Sequence, residues 1–171
     1  NGTAYNAYVS GGTVRKAVLT VTGFEHLEGQ TLVVLADGNV ISNLVVTNAT
    51  ITLPRKFSRI HGGLSYISDL QTLNIESSDS TVQGLKTKIA KLVVRFNKSR
   101  GMLFGPSEDN LTEMKQREFE AMGDPTALLT GDKEMIMPPA WKVNGRIFLR
   151  QKDPLPMTIL AIIPEVDIGD R

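Results

Sequence analysis

Thr31-Leu32-Val33-Val34-Leu35-Ala36-Asp37-Gly38-Asn39-Val40-Ile41 decides the fold class. A six-residue run of strand formers ends in Asp-Gly, and an apolar pair follows. Asp-Gly suits two-residue hairpin turns, whose central positions require positive φ that glycine tolerates. The stretch therefore predicts two antiparallel strands folded back on each other.

Working outward, the first half continues in the same manner. Ala17–Thr22 (AVLTVT) is β-branched and closes at Gly23, while Val40-Ile41 and Leu44–Thr47 extend the pattern after the turn. Ala49–Leu53 (ATITL) is expected to stop at Pro54, which cannot donate to a strand ladder. Phe57–Ile60 reads as a short strand before Gly62-Gly63, and Leu70–Ile75 as another. Short strands punctuated by turn residues imply a mainly β fold, an antiparallel sandwich or barrel-like set of sheets.

In the second half, Leu85–Phe96 (LKTKIAKLVVRF) fits a helical face through Leu85, Ile89, Leu92 and Phe96. It also fits a strand through Thr87, Ile89, Val93 and Val94 with one slip in register, as at a bulge. The β-branched Val93-Val94 pair favours strand. Residues 108–124 hold six acidic and two basic residues and form a polar arm, either helical over Glu113–Met122 or extended and exposed. Thr130-Gly131-Asp132 marks a turn. Met135–Met137, Arg146–Arg150 and Met157–Ile163 read as further strands. The organisation expected is a β-rich subdomain over 1–76, a linker or loop over 77–84, and a second β-rich subdomain over 85–171 packed on the first. The absence of an initiator Met suggests a piece of a longer polypeptide.

The 171 residues carry 19 Lys plus Arg against 18 Asp plus Glu, with two histidines and no cysteine. That excludes a disulfide framework, a thiol nucleophile and cysteine-held metal. A net charge of +1 does not suit a surface that is basic throughout. No apolar run approaches the roughly 18 residues of a membrane helix.

Motifs for chemistry are scarce. There is no glycine-rich phosphate loop, and Gly63-Leu64-Ser65-Tyr66-Ile67 lacks the second glycine of a nucleophile elbow, which leaves Ser65 in a turn. His26, between Glu25 and Glu28, invites an acid–base reading, although a turn between strands accounts for it as well. His61 has no ligand partner at metal-binding spacing. The acidic arm could supply a carboxylate pair for glycoside hydrolysis, but no aromatic platform surrounds it. Trp141, after Pro138-Pro139, reads as a packed loop residue. The sequons at Asn1, Asn48, Asn97 and Asn110 read as chance matches. Nothing points to a catalytic residue, cofactor or metal.

One local bias remains. Lys86, Lys88, Lys91, Arg95, Lys98 and Arg100 form a stretch without a single acidic residue. It is a candidate DNA-facing or subunit-facing surface, since such a patch attracts phosphate or a carboxylate-rich neighbour. The acidic arm at 108–124 could neutralise it, within the chain or between neighbouring subunits, and the second arrangement is preferred.

The ordered series from Gly23-Phe24-Glu25-His26-Leu27-Glu28-Gly29 through Val33-Val34-Leu35-Ala36-Asp37-Gly38-Asn39-Val40 carries a resemblance. Ala49–Leu53, Ile60–Tyr66, Leu129–Asp132 and the closing Pro154–Val166 (PLPMTILAIIPEV) extend it over about 17–166. The series resembles structural tail proteins of tailed bacteriophages, of the nozzle or tail-tube type of short-tailed phages. Ser65 stands where that family favours proline, and the arm at 108–124 matches little. The resemblance implies a virion protein made in the bacterial host cytoplasm, in a homo-oligomeric ring (a hexamer by analogy) around the DNA exit path. Its partners would be copies of itself, other tail proteins and passing double-stranded DNA. A non-catalytic β-sandwich module for host-surface glycans is the alternative, and it would need an exposed aromatic platform beside carboxylates or amides.

Overall fold

The computed structural model describes residues 7–10, 13–75, 84–143 and 145–169, so the expected linker at 77–84 lies, apart from Gly84, outside the described residues. The chain divides into two compact units: Asn1–Tyr66 with Phe119–Thr126, and Ile67–Glu118 with Ala127–Arg171. Every strand pairing is antiparallel, no sheet closes into a barrel, and no α-helix forms among the described residues.

Among its described residues the first unit holds β1 (Ala7–Ser10), β2 (Thr13–Lys16), β3 (Val18–Thr22), β4 (Thr31–Ala36), β5 (Asn39–Val45), β6 (Thr50–Phe57) and β7 (Ile60–Gly63). They pair as β1-β2, β3-β6 and β5-β4-β7. Period-two side-chain alternation sets the core, because Leu32, Val34 and Ala36 of β4 all turn to one face and are fully buried. Ile51, Leu53 and Phe57 of β6 meet them, with Val46 beside. Removing each large side chain of this kind from water stabilises the fold by about 1.5–3 kcal/mol.

The Asp37-Gly38 turn has the expected form, with φ of 46° and 81°. It is also stitched to the next connection: the Asp37 carboxylate accepts the Ser58 and Arg59 amides, the latter at 2.7 Å. Asn48 and Ala49 make a second positive-φ pair, at 52° and 57°. There the Glu28 carboxylate accepts both turn amides, at 2.8 and 2.7 Å. A segment from the distant arm completes this unit. The Gly123 carbonyl accepts Asn39 Nδ2 at 2.9 Å and Arg55 Nη2 at 3.2 Å, and Pro125 lies against Gly38.

The second unit holds β8 (Ser68–Gln71), β9 (Thr87–Ser99), β10 (Leu103–Ser107), β11 (Asn110–Glu113), β12 (Leu129–Ile136), β13 (Phe148–Gln151) and β14 (Ile159–Ile168). Two sheets form, β11-β10-β13-β8 and β12-β9-β14. Leu92, Val94 and Phe96 from one sheet and Phe104 and Leu149 from the other share a single core, the layering of a β sandwich.

The ambiguous Leu85–Phe96 stretch is strand, as the valine pair favoured, and the slip in register is present. β14 pairs Glu165 with Lys91 and Val166 with Ile89, so Ala90 is the extra residue. Beyond that bulge Leu92, Val94 and Phe96 face the core, whereas Val93 is only partly buried. A second irregularity falls at Lys98, which has φ of 47°, and it returns Ser99 to the interior.

Several local expectations are corrected. β6 runs through Pro54 to Phe57, because the proline falls in a register shift between the Val18 and Thr20 pairings and needs no ladder bond. Ser58 and Arg59 are a bend held by Asp37, so the next strand is Ile60–Gly63. Thr130-Gly131-Asp132 lies inside β12, with Gly131 at φ 121° beside a register shift. β14 continues through Pro164 to Ile168, which an edge position allows. The arm forms no helix. Its start is the short strand β11, and of its apolar residues Met114 is buried while Phe119 and Met122 are almost wholly exposed, so no single face exists to stabilise one.

Candidate functional site

Of the six basic residues of the sequence reading, three lie along β9 on one face of its sheet, and Lys86, Lys98 and Arg100 fall at the ends of the strand. The sheet β12-β9-β14 turns Leu92, Val94 and Phe96 inward, so alternation sends Lys88, Lys91 and Arg95 to its other face. Each meets carboxylates of the flanking strands. Arg95 makes a two-point pair with Asp132 at 2.7 and 2.9 Å. Lys91 lies 3.3 Å from Glu134 and 4.0 Å from Glu165, and Lys88 lies 3.8 Å from Asp167. Four carboxylates against three cations leave this face at −1.

The Asp132 carboxyl sits below the ordinary carboxylate range, chiefly through its hydrogen bonds from Arg95. The Arg95 guanidinium is raised by the same contact. Neutralisation therefore comes from β12 and β14 within the chain. Of the acidic arm, Glu118 lies 3.4 Å from Lys133, and Glu108 turns to Arg150.

The remaining members sit at the two ends of β9. Lys98 occupies the left-handed bulge, where its amide donates to Thr130 Oγ1 at 3.0 Å. Arg100 is partly buried, which lowers its guanidinium from the ordinary value, with Asp153 acting in the opposite sense. At the other end Lys86 is exposed, and its carbonyl accepts the Gly169 amide at 2.8 Å.

That end holds a constellation the sequence reading missed. Thr87 and Lys142 exchange backbone hydrogen bonds at 2.8 and 3.0 Å, tying the Trp141 loop to the start of β9. Trp141 is 52% exposed, which corrects its expected role as a packed residue. Lys88 Nζ stands over its ring, 6.0 Å from the centroid. Gly169 lies so close that a Cβ there would meet the indole at 3.3 Å. Lys142 and Arg146 line a recess shared with Thr87, Ile89 and Pro106. The signal in the sequence was the spacing Trp141-Lys142-Val143-Asn144-Gly145-Arg146, two cations beside the single tryptophan.

A second missed cluster is structural. Arg150 pairs with Asp69 through two bonds of 2.7 Å and with Glu108 at 2.6 Å, and its side chain is only 17% exposed. It ties β8 and the β10–β11 hairpin to β13. Its guanidinium is pushed above the ordinary value, first by the Asp69 hydrogen bond, and Asp69 is lowered in turn.

The remaining candidates find ordinary places. His26 sits exposed on a 3-10 turn, Glu25–Leu27, and the neighbouring Glu28 is engaged with turn amides. His61 is exposed on β7, and Ser65 lies in the irregular segment after it. No group of three metal-ligating side chains occurs among the described residues. Among them also, no helix is long and apolar enough to cross a membrane. No family model matches the chain. No characterised protein is detectably similar to it in sequence.

Proposed function

We propose that the chain is part of a virion structural protein, a nozzle or tail-tube component of a short-tailed phage, assembling as a homo-oligomeric ring around the DNA exit path. The observation that carries this is the ordered series of stretches from Gly23 to Val166 that resembles such proteins. In the folded chain several of those residues are scaffold. Glu28 clamps one turn, Asp37-Gly38 forms another, and Leu32, Val34 and Ala36 fill the core.

Of the two roles considered for the basic stretch, the charge balance favours a neighbouring subunit. Phosphates of a passing duplex would meet Asp132, Glu134, Glu165 and Asp167 along with the cations. An alternating charged face suits a complementary protein surface, where charge fixes register. The two carboxylate-lined outer strands also discourage uncontrolled edge pairing.

Electron microscopy and light scattering of the full-length protein test the reading. Closed rings are expected. A stable monomer that binds a host oligosaccharide would replace it with the glycan-binding alternative.

A further inference from the structure

We propose that Trp141, with Lys86, Lys88, Lys142 and Arg146, forms a binding site for single-stranded nucleic acid at the start of β9. The ring of Trp141 has half its surface in solvent yet is fixed in place. Gly169 packs against its edge, Lys88 stands over it, and the Thr87–Lys142 hydrogen bonds anchor its loop. A rigid exposed indole offers a π-face on which a base can stack.

Charge selects the class of ligand. Lys88 stands over the ring and Lys86 lies with it against Gly169, while Lys142 and Arg146 line the recess beside the same strand start; among the described residues Asp167 pairs with Lys88 at 3.8 Å. Among the described residues no carboxylate lies within salt-bridge distance of Lys86, Lys142 or Arg146. Arg146 is oriented by its Nε donating to Asn74 Oδ1 at 2.6 Å. Sugar platforms pair a ring with carboxylates or amides, whereas here the group over the ring is the Lys88 ammonium, with further cations on the adjoining recess. Those groups match phosphates on either side of a stacked base. A duplex keeps its bases stacked on one another, so only an unpaired strand can use the indole. The proposal stands apart from the ring assembly and holds or fails without it.

Trp141 is the only tryptophan in the chain, so intrinsic fluorescence reports this site alone. Titrating the whole chain with a dT oligomer at low salt should quench the emission. The salt dependence should have a log–log slope of about −2 to −3, from three to four neutralised phosphates. In anisotropy with a labelled dT oligomer, Trp141→Ala should weaken binding about tenfold. Trp141→Phe should retain most of the affinity, and Lys86→Glu with Lys142→Glu should flatten the slope. Melting curves confirm that each variant is folded. Absence of quenching overturns the proposal. So does equal affinity for a duplex or for inorganic polyphosphate, or a folded Trp141→Ala protein that binds as the parent does.

Discussion

Arg95 and Asp132 face each other across β9 and β12 with Nε 2.7 Å from Oδ1 and Nη2 2.9 Å from Oδ2. The pair is the best-formed member of a charged array in which a cationic central strand lies between two acidic ones. That geometry makes the partners of Lys88, Lys91 and Arg95 internal to their own sheet.

Acid should weaken the fold through this pair and the Asp69–Arg150 pair. Both carboxyls titrate below their ordinary 3.8, chiefly through arginine hydrogen bonds. The unfolded chain takes up these protons at the higher, ordinary value. Their stabilisation is thus complete above about pH 5 and is lost as pH falls through 3.8 and then the folded values. Urea titrations of Asp69→Asn/Asp132→Asn should show a deficit at pH 7 that shrinks towards pH 2. A deficit constant with pH contradicts this origin.

Phe96→Ala should cost about 3–5 kcal/mol in equilibrium unfolding, because Phe96 is fully buried at the centre of the second core. The exposed Phe119, at 96%, should tolerate the same change within about 0.5 kcal/mol. Similar costs at the two positions would mean that the second core is wrongly located.

Gly38→Ala should destabilise by more than about 1 kcal/mol, since the position has φ of 81° and a methyl group would press on Pro125 at 2.8 Å. The same change should loosen the 119–126 segment from its seat. Limited proteolysis should then cut within 119–126 sooner than in the parent; an unchanged cleavage pattern contradicts the seating.

Glu28→Ala removes the acceptor of two turn amides and should cost about 1 kcal/mol, with Glu28→Gln costing less. Proton exchange at the Asn48 and Ala49 amides, followed by NMR, should accelerate in the alanine variant. If both exchange as before, the carboxylate is not their partner in solution.

Reversing Lys91 to Glu places like charges beside Glu134 and Glu165, so the variant should lose stability before any assembly is considered. Adding Glu134→Lys should recover part of that loss. Lack of recovery in thermal melts would mean that the array contributes nothing measurable.

What was legible in the sequence was local. The β4–β5 hairpin declared itself through Asp37-Gly38, and the Ala90 bulge through the interrupted alternation of Leu85–Phe96. Pro54 and Gly131 misled because their effect depends on whether they fall in a register shift, which is a property of pairing. The site was less legible still. Arg150 finds Asp69 at a separation of 81 residues, and Arg95 finds Asp132 at 37. Charge runs along a chain show which residues share a strand, and the strands beside it decide whether that charge is spent.

The Gly123 carbonyl seated on Asn39 and Arg55 bears on how the gene can be divided. Residues 119–126 belong to the first unit, yet they are encoded within the second. No single truncation point yields a complete first unit. A shortened clone ending near Tyr66 would omit a piece of it, and one beginning at Ile67 would carry that piece away from its seat.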